Sequence, residues 1–337
     1  GVLLADTRQK EWMEKECRFS LPVAWETMFS PYYIKVYPWG WNPSLLRRLA
    51  EAGVSAEAVL SEEQMRRVRL LSSRETAVDL LPYLRMEHTI GESFVLDSLE
   101  KLKNFLMKDA ELLLKSPWSG SGKGLQKVRG VLEPSVLGWA KRVIASQGNI
   151  IVEPFYQKEI DFAMEFLADR EDVGFVGYSL FETDVRGIYK ENRLLSDEAI
   201  EGHPASYVPL DVLHTVRDLC RKELKRILGG GYEGYLGVDM MICRDGESYK
   251  LHPCVEVNLR MNMGVVSRLL YDRYVCDGAE GSYVIEYYSR PGEACRFHEA
   301  MKREYPLLLE NGRIKSGYLS LTPVFEDTSY QIFIKIK

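Results

Sequence analysis

The 337-residue chain predicts a mixed α/β and α+β protein arranged in two or three lobes. Three observations support that class. Hydrophobic residues form 46% of the sequence, enough to fill a large core. Short β-prone runs and amphipathic helical stretches alternate along the whole length, without an internal repeat or low-complexity tract. No apolar run reaches the roughly 18 residues of a membrane span, and no leader segment is visible. The net charge of −5 argues against a nucleic-acid partner, which needs a concentrated basic surface. The six cysteines are scattered without CxxC spacing and read as reduced thiols of a cytoplasmic protein. Cys254, the one nearest a candidate site, reads as packing.

Residues 1–73 read as an N-terminal α/β part. The chain opens on Gly1, and "VLLAD" (Val2–Asp6) suits an interior strand of a domain that starts earlier. "YYIKVYPWGW" (Tyr32–Trp41) suits a strand running into an aromatic loop. Trp39 and Trp41 there either line a cleft or pack on nearby helices. Asn42 followed by Pro43 marks a helix start, because asparagine caps and proline is tolerated in the first turn. That helix carries Leu45, Leu46 and Leu49 on one face and stops at Gly53. Ser61 and Gln64 form a capping box for a second helix, Glu62 to Leu71. A third, Arg74 to Leu84, follows.

Residues 74–170 read as a small α+β lobe. Strands are expected at "SFVLD", "AELLLKS", "NIIVEPF" and "IDFAMEFLA", and helices at "LEKLKNFLM" and "SVLGWAKRVIAS". Residues 171–337 form the third part. Strands follow the "DRED" turn between Val173 and Leu195. A long amphipathic helix, Val208 to Leu228, ends at three glycines, and its basic residues read as a solvated face balanced by acids. "GYLGVDMMICRDGESYKLHPCVEVNLR" reads as a hairpin, and the tail as an edge hairpin.

The stretch "LLLKSPWSGSGKGLQ" (Leu112–Gln126) delivers a lysine from an apolar strand into a glycine loop, the form of a phosphate site. It is not a P-loop, since Pro117 stands where the first glycine belongs and Gly124 where Ser or Thr belongs. It is not a GxGxxG loop either, because the third position is Leu125. An ordinary polar turn with a surface lysine is the plain alternative. The C-terminal half favours the phosphate site. "GVDMM" places Asp239 inside an apolar strand. "VEVNLR" places Glu256, Asn258 and Arg260 at alternate positions, hence on one strand face. Such polar groups need a partner. Either Arg260 pairs with Glu256, or the acid and amide bind a hard cation such as Mg²⁺.

With these motifs in order ("LLLKSPWSGSGKG", "IIVEPF", "IDFAMEF", "GYLGVDMM", "VEVNLRMNMG"), the chain resembles the ATP-grasp superfamily of ATP-dependent carboxylate–amine ligases. The resemblance covers about Arg74 to Gly264. It implies two α+β lobes that grip ATP, preceded by a Rossmann-like domain. It implies ATP and one or two Mg²⁺ ions, with Mn²⁺ as a substitute. The substrates would be a small-molecule carboxylate and an amine, or less often a thiol, joined through an acyl phosphate. It allows a homodimer, and neither a nucleic-acid nor a membrane partner is expected.

Carried over residue by residue, the resemblance makes Lys115 the ligand of the α- and β-phosphates. Gly120, Gly122 and Gly124 form the loop over the phosphates, with Lys123 and Arg74 as further phosphate contacts. Glu153 accepts from the adenine amino group, and Phe155 lies in the hinge that reads adenine. Asp161, or alternatively Glu159, binds the ribose. Asp239, Glu256 and Asn258 are the metal ligands, and Arg260 holds the substrate carboxylate or acyl phosphate. A phosphotransferase that stops at phosphorylation, or a regulatory nucleotide binder without turnover, are the rival readings.

One spacing needs explanation. Asp239 and Glu256 are 17 positions apart. A tight turn at Asp245–Gly246 sets Asp239 opposite His252, leaving Glu256 roughly 13 Å further along the strand. That is too far for one magnesium. A wider loop, about Arg244–Leu251, or a bulge near "HPC" would bring the two acids together. If neither forms, Asp239 is no metal ligand. His252 is expected to make a structural hydrogen bond.

Overall fold

The computed structural model describes residues 2–4, 7–16, 24–26, 28–33, 35–36, 38–106, 111–120, 124–183 and 189–337. Gly122 and Lys123 of the glycine loop lie outside them. The described helices and strands run, in chain order, β1 (Val2–Leu4), α1 (Thr7–Glu16), β2 (Ala24–Glu26), α2 (Pro43–Glu51), α3 (Glu62–Leu71), α4 (Glu75–Leu80), β3 (Phe94–Leu96), α5 (Leu99–Phe105), β4 (Glu111–Lys115), β5 (Leu125–Arg129), α6 (Pro134–Gln147), β6 (Ile150–Pro154), β7 (Gln157–Ala168), β8 (Val173–Thr183), β9 (Tyr189–Leu194), α7 (Asp197–Ala205), α8 (Leu210–Leu228), β10 (Gly234–Asp245), β11 (Ser248–Asn258), α9 (Met263–Tyr274), β12 (Gly281–Tyr287), α10 (Glu293–Glu304), β13 (Leu308–Glu310), β14 (Arg313–Ser320) and β15 (Tyr330–Ile336).

Contacts divide the chain into two compact units. The first comprises Gly1–Met65, Lys190–Ser196 and Val266–Lys337; the second comprises Arg66–Tyr189 and Asp197–Val265.

The second unit holds two antiparallel arrays. Strands β3-β6-β4-β5 form a four-stranded sheet. Alternation sends Leu112 and Leu114 of β4 into a core with Leu102, Val136 and Ala140 from α5 and α6. It sends Lys115 and Glu153 to the opposite face. The sequence missed β5, and β5 is what makes the glycine loop the tip of a hairpin, with Lys115 paired to Leu125. The other array runs β11-β10-β7-β8. Phe162, Met164 and Phe166 are buried on one face of β7, and α8 lies against β7 and β8. Gly229 ends α8 in the left-handed conformation, φ 50°. The basic face of α8 is balanced as expected: Arg221 and Lys225 each lie 3.7 Å from Asp172.

In the first unit, strands β9-β12-β15-β14-β13 lie side by side. The tail hairpin is therefore not at the edge, because β15 lies between β12 and β14. Asn42 caps α2 by accepting from Leu45 N at 3.0 Å, and Ser61 and Gln64 make the reciprocal capping box of α3. The expected strand at Tyr32–Trp41 is absent among the described residues. Val36 instead donates to Ala58 O at 3.2 Å. With Trp41 it packs on Leu49, Val54 and Ala58. Pro31 and Pro38 bracket this segment and favour turns over ladder pairing. The third helix is shorter than expected, because Leu81–Leu84 tightens into a 3₁₀ turn at Pro82. At the N-terminus, β1 and β2 pair in parallel. No helix among the described residues is long and apolar enough to cross a membrane.

Candidate functional site

The site is built on the second unit. The β10–β11 turn is tight, with Asp245 paired to Ser248, so the wider Arg244–Leu251 loop does not form. The ladder runs regularly to Met241–His252. It then shifts, so that Met240 faces Pro253–Val255 and the next pair is Asp239–Glu256. The bulge near "HPC" is thus the device that closes the 17-residue spacing. Pro253 cannot donate to a ladder, which makes this the natural place to break it. Asp239 faces Glu256, not His252.

These two acids repel. Burial, then Glu256 and Glu165, push the Asp239 carboxyl well above the ordinary range, while the amide of Asn258 opposes that shift. Asn258 Nδ2 donates to Asp239 Oδ2 at 3.0 Å. Arg260 Nη2 reaches Asn258 Oδ1 at 3.4 Å. Glu256 does not pair with Arg260. Its partner is the buried Arg74, at 3.2 Å. Arg74 also donates to Ser116 O at 2.7 Å and Ser119 Oγ at 2.6 Å, both in the glycine loop.

Lys115 is buried, 3% exposed. Its ammonium lies 2.6 Å from Glu153 Oε2 and 3.3 Å from Val255 O in the bulge. Ser93 donates to the other Glu153 oxygen at 3.0 Å. Phe155 N donates to Glu111 O at 2.8 Å, and Lys127 Nζ sits 3.5 Å over the Phe155 ring. In the loop, Gly120 is open, whereas Gly124 has φ +74° and no room for a side chain: a Cβ would meet Ser116 Oγ at 2.2 Å.

Asp161 lies on β7 opposite Met241, in the row that His252 completes on β11. It accepts from Thr183 Oγ1 at 3.0 Å and pairs with Lys158. Glu159 sits where the β7–β10 ladder skips a residue and pairs with Arg244 at 3.7 Å. The structure therefore separates the two ribose candidates.

Two residues differ from or escape the sequence reading. His252 makes no hydrogen bond through either ring nitrogen, contrary to expectation. It is enclosed between Gly91 and the Tyr156 ring, whose centroid is 5.3 Å away. Burial, with Lys115 nearby, pushes it down to about 3, so it is neutral. Glu165 was missed. It shares the alternating face of Asp161 and Ala163 on β7, a polar residue in an apolar strand, and that pattern could have identified it. It is 1% exposed and burial raises it to about 7, against hydrogen bonds from Asn262 and Ser179.

The donor set fits a hard divalent cation. Asp239, Glu256 and Asn258 offer only oxygen ligands, and two mutually repelling carboxylates gain from a cation between them. No group of three His, Cys, Asp or Glu residues suited to a metal occurs among the described residues. The candidate set has two acids and an amide.

No family model matches the sequence, and no curated protein matches it. Solved structures do. Carboxyaminoimidazole ribonucleotide synthase from Aspergillus clavatus, complexed with ATP, is 13% identical, with 100% of this chain and 93% of that chain covered at a TM-score of 0.51. Biotin carboxylase from Campylobacter jejuni, in a β-γ-ATP complex, is 11% identical, with 100% and 81% covered at 0.52. Pyruvate carboxylase from Rhizobium etli is 13% identical at 0.52, and the match covers 89% of this chain but 28% of that one. At such identities the likeness is one of fold: the chain has the ATP-grasp fold.

Proposed function

We propose that the protein is an ATP- and magnesium-dependent ligase that joins a carboxylate to an amine, or less often a thiol, through an acyl phosphate. The observation that carries this reading is the bulge in β11, which sets Glu256 directly opposite Asp239 and leaves Asn258 at the end of the same strand. Arg260, expected on that strand face, instead lies in the bend two residues beyond it. A binding module without turnover has no need of that whole set.

In this reading, Asp239, Glu256 and Asn258 would hold the cation, which supplies charge neutralisation on the phosphates when bound. Lys115, oriented by Glu153, contacts the α- and β-phosphates. Gly120 and Gly124 present N–H groups from the loop between β4 and β5; Gly122 and Lys123 keep their proposed phosphate roles from the sequence alone. Arg74 anchors the root of that loop. Glu153 and Phe155 take the adenine, and Asp161 takes the ribose. Arg260 orients the attacking carboxylate. A carboxylate oxygen then bonds to the γ-phosphorus while its bond to the ADP oxygen breaks. The amine next bonds to the acyl carbon and phosphate leaves. Residues 74–170 and 171–337 act as the two gripping lobes after an N-terminal Rossmann-like domain of residues 1–73.

The test is thermal unfolding with and without ATP and Mg²⁺, for the wild type and Glu256→Gln. Ligand at 100 times its dissociation constant stabilises by about 2.7 kcal/mol. The expected outcome is a magnesium-dependent rise in the wild type that shrinks in the variant, followed by ADP release in a screen of carboxylates and amines. No rise at millimolar ATP sinks the reading.

A further inference from the structure

We propose that Glu165 is a positioning residue that fixes the Arg260–Gly264 segment, and so aims the Arg260 guanidinium at the group it binds. This rests on the role given to Arg260 above.

The geometry is a short chain of hydrogen bonds. Ser179 Oγ donates to Glu165 Oε1 at 2.8 Å, and Asn262 Nδ2 donates to Glu165 Oε2 at 3.0 Å. Asn262 Oδ1 in turn accepts from Val265 N at 2.9 Å, capping the first turn of α9. The helix settles the amide's orientation. A backbone N–H only donates, so the oxygen of Asn262 turns to Val265 N and its NH₂ end is left for Glu165 Oε2. Arg260 lies two residues before Asn262. Its own N–H is held by Asn258 O at 2.9 Å. The segment is therefore pinned at both ends, by the β11 ladder and by Glu165.

The surroundings are shaped for this acid. On the sheet, Glu165 is flanked by Gly237 on β10 and Gly177 on β8. A Cβ on Gly237 would lie 2.6 Å from both Glu165 Oε2 and Asn262 Nδ2. A Cβ on Gly264 would lie 2.0 Å from Glu165 Oε1 and 2.4 Å from Ser179 Oγ. Burying a carboxylate is costly, and an apolar side chain would fill the same space more cheaply. What the acid adds is direction for the segment that carries Arg260.

The experiment measures stabilisation by MgADP, and the further increment from inorganic phosphate as a probe of Arg260. The proteins are the wild type, Glu165→Met, Glu165→Gln, Asn262→Ala and Arg260→Gln. Amide exchange at Val265 is read in parallel. Glu165→Met and Asn262→Ala should keep the MgADP response, weaken phosphate by at least about tenfold as Arg260→Gln does, and speed Val265 exchange. Glu165→Gln should rescue, because its oxygen accepts from Asn262 and its amide donates to Ser179. A purely structural role predicts that the MgADP and phosphate responses fall together, and that outcome overturns the proposal. So does an undiminished phosphate increment in Asn262→Ala. A wild type blind to MgADP overturns the ligase reading, and with it the substrate half of this proposal.

Discussion

His252 and Glu165 are buried, and burial moves them in opposite directions along the pH scale. His252 is held neutral down to about 3 against an ordinary 6.5. Below pH 6.5 the unfolded chain takes a proton that the native ring refuses, so this stability is present above 6.5 and is lost as pH falls toward 3. The ceiling on that loss is about 5 kcal/mol. Replacing the ring by Leu removes two unpaired polar atoms. His252→Leu should therefore be no less stable at pH 7, or more stable by about 1 kcal/mol. Its stability should also decline less steeply between pH 6.5 and 4 in urea titrations. Glu165 behaves inversely. Raised to about 7, it keeps in the native state a proton that the unfolded chain releases above 4.5. Its contribution is complete below 4.5 and fades as pH rises through 7, by roughly 3 kcal/mol. Glu165→Gln should flatten that limb of the pH–stability curve, and an unchanged limb would show that another group causes it. Neither residue was legible as a titrating group, because burial comes from distant segments, Gly91 over one and Asn262 and Gly264 over the other.

Strands and helices were legible where they carried strong local signals. "LLLK" announced β4, Asn42–Pro43 announced α2, and Gly229 ended α8. "LQKVR" did not announce β5, because a short, largely polar edge strand is defined by its pairing with β4 rather than by its own composition. "YYIKVY" misled for the reverse reason: a β-prone composition between prolines yielded to packing on α2. The bulge in β11 was inferred from a spacing alone, as one of two solutions, and it yields a sharp expectation. Deleting Pro253 and Cys254 removes two residues opposite Met240 and straightens the ladder, with Glu256 still facing Asp239. The magnesium-dependent response to ATP should survive that deletion at some cost in stability. Deleting Pro253 alone reverses the face of every later residue in β11 and turns Glu256 and Asn258 away together. That variant should lose the response completely. Loss in both deletions would mean that the bulge itself, through Val255 O and Lys115, is part of the site.

Over the whole molecule, the described candidate residues from Arg74 to Arg260 belong to one compact unit, although they span most of its sequence. The other unit is assembled from three separated segments. Strand β9 joins β12 nearly ninety residues later, with Leu194 paired to Gly281. Such non-local pairing has no signature in local sequence, which is why the site motifs could be read in order while this unit could not. The division carries a prediction about where ligand energy appears. A ligand that binds only the native second unit raises the free energy of every opening that disrupts the site, by about 2.7 kcal/mol at 100 times its dissociation constant. It leaves untouched the local openings of the first unit, which keep the site intact. Amide exchange with saturating ATP and Mg²⁺ should therefore slow in β4, β6, β10 and β11 about a hundredfold. The amides of β12 and β14 that exchange by local opening should keep their rates. Equal slowing across both groups would mean that these strands open only in one global event, and the two units would then be one folding unit in energy as well as in connection.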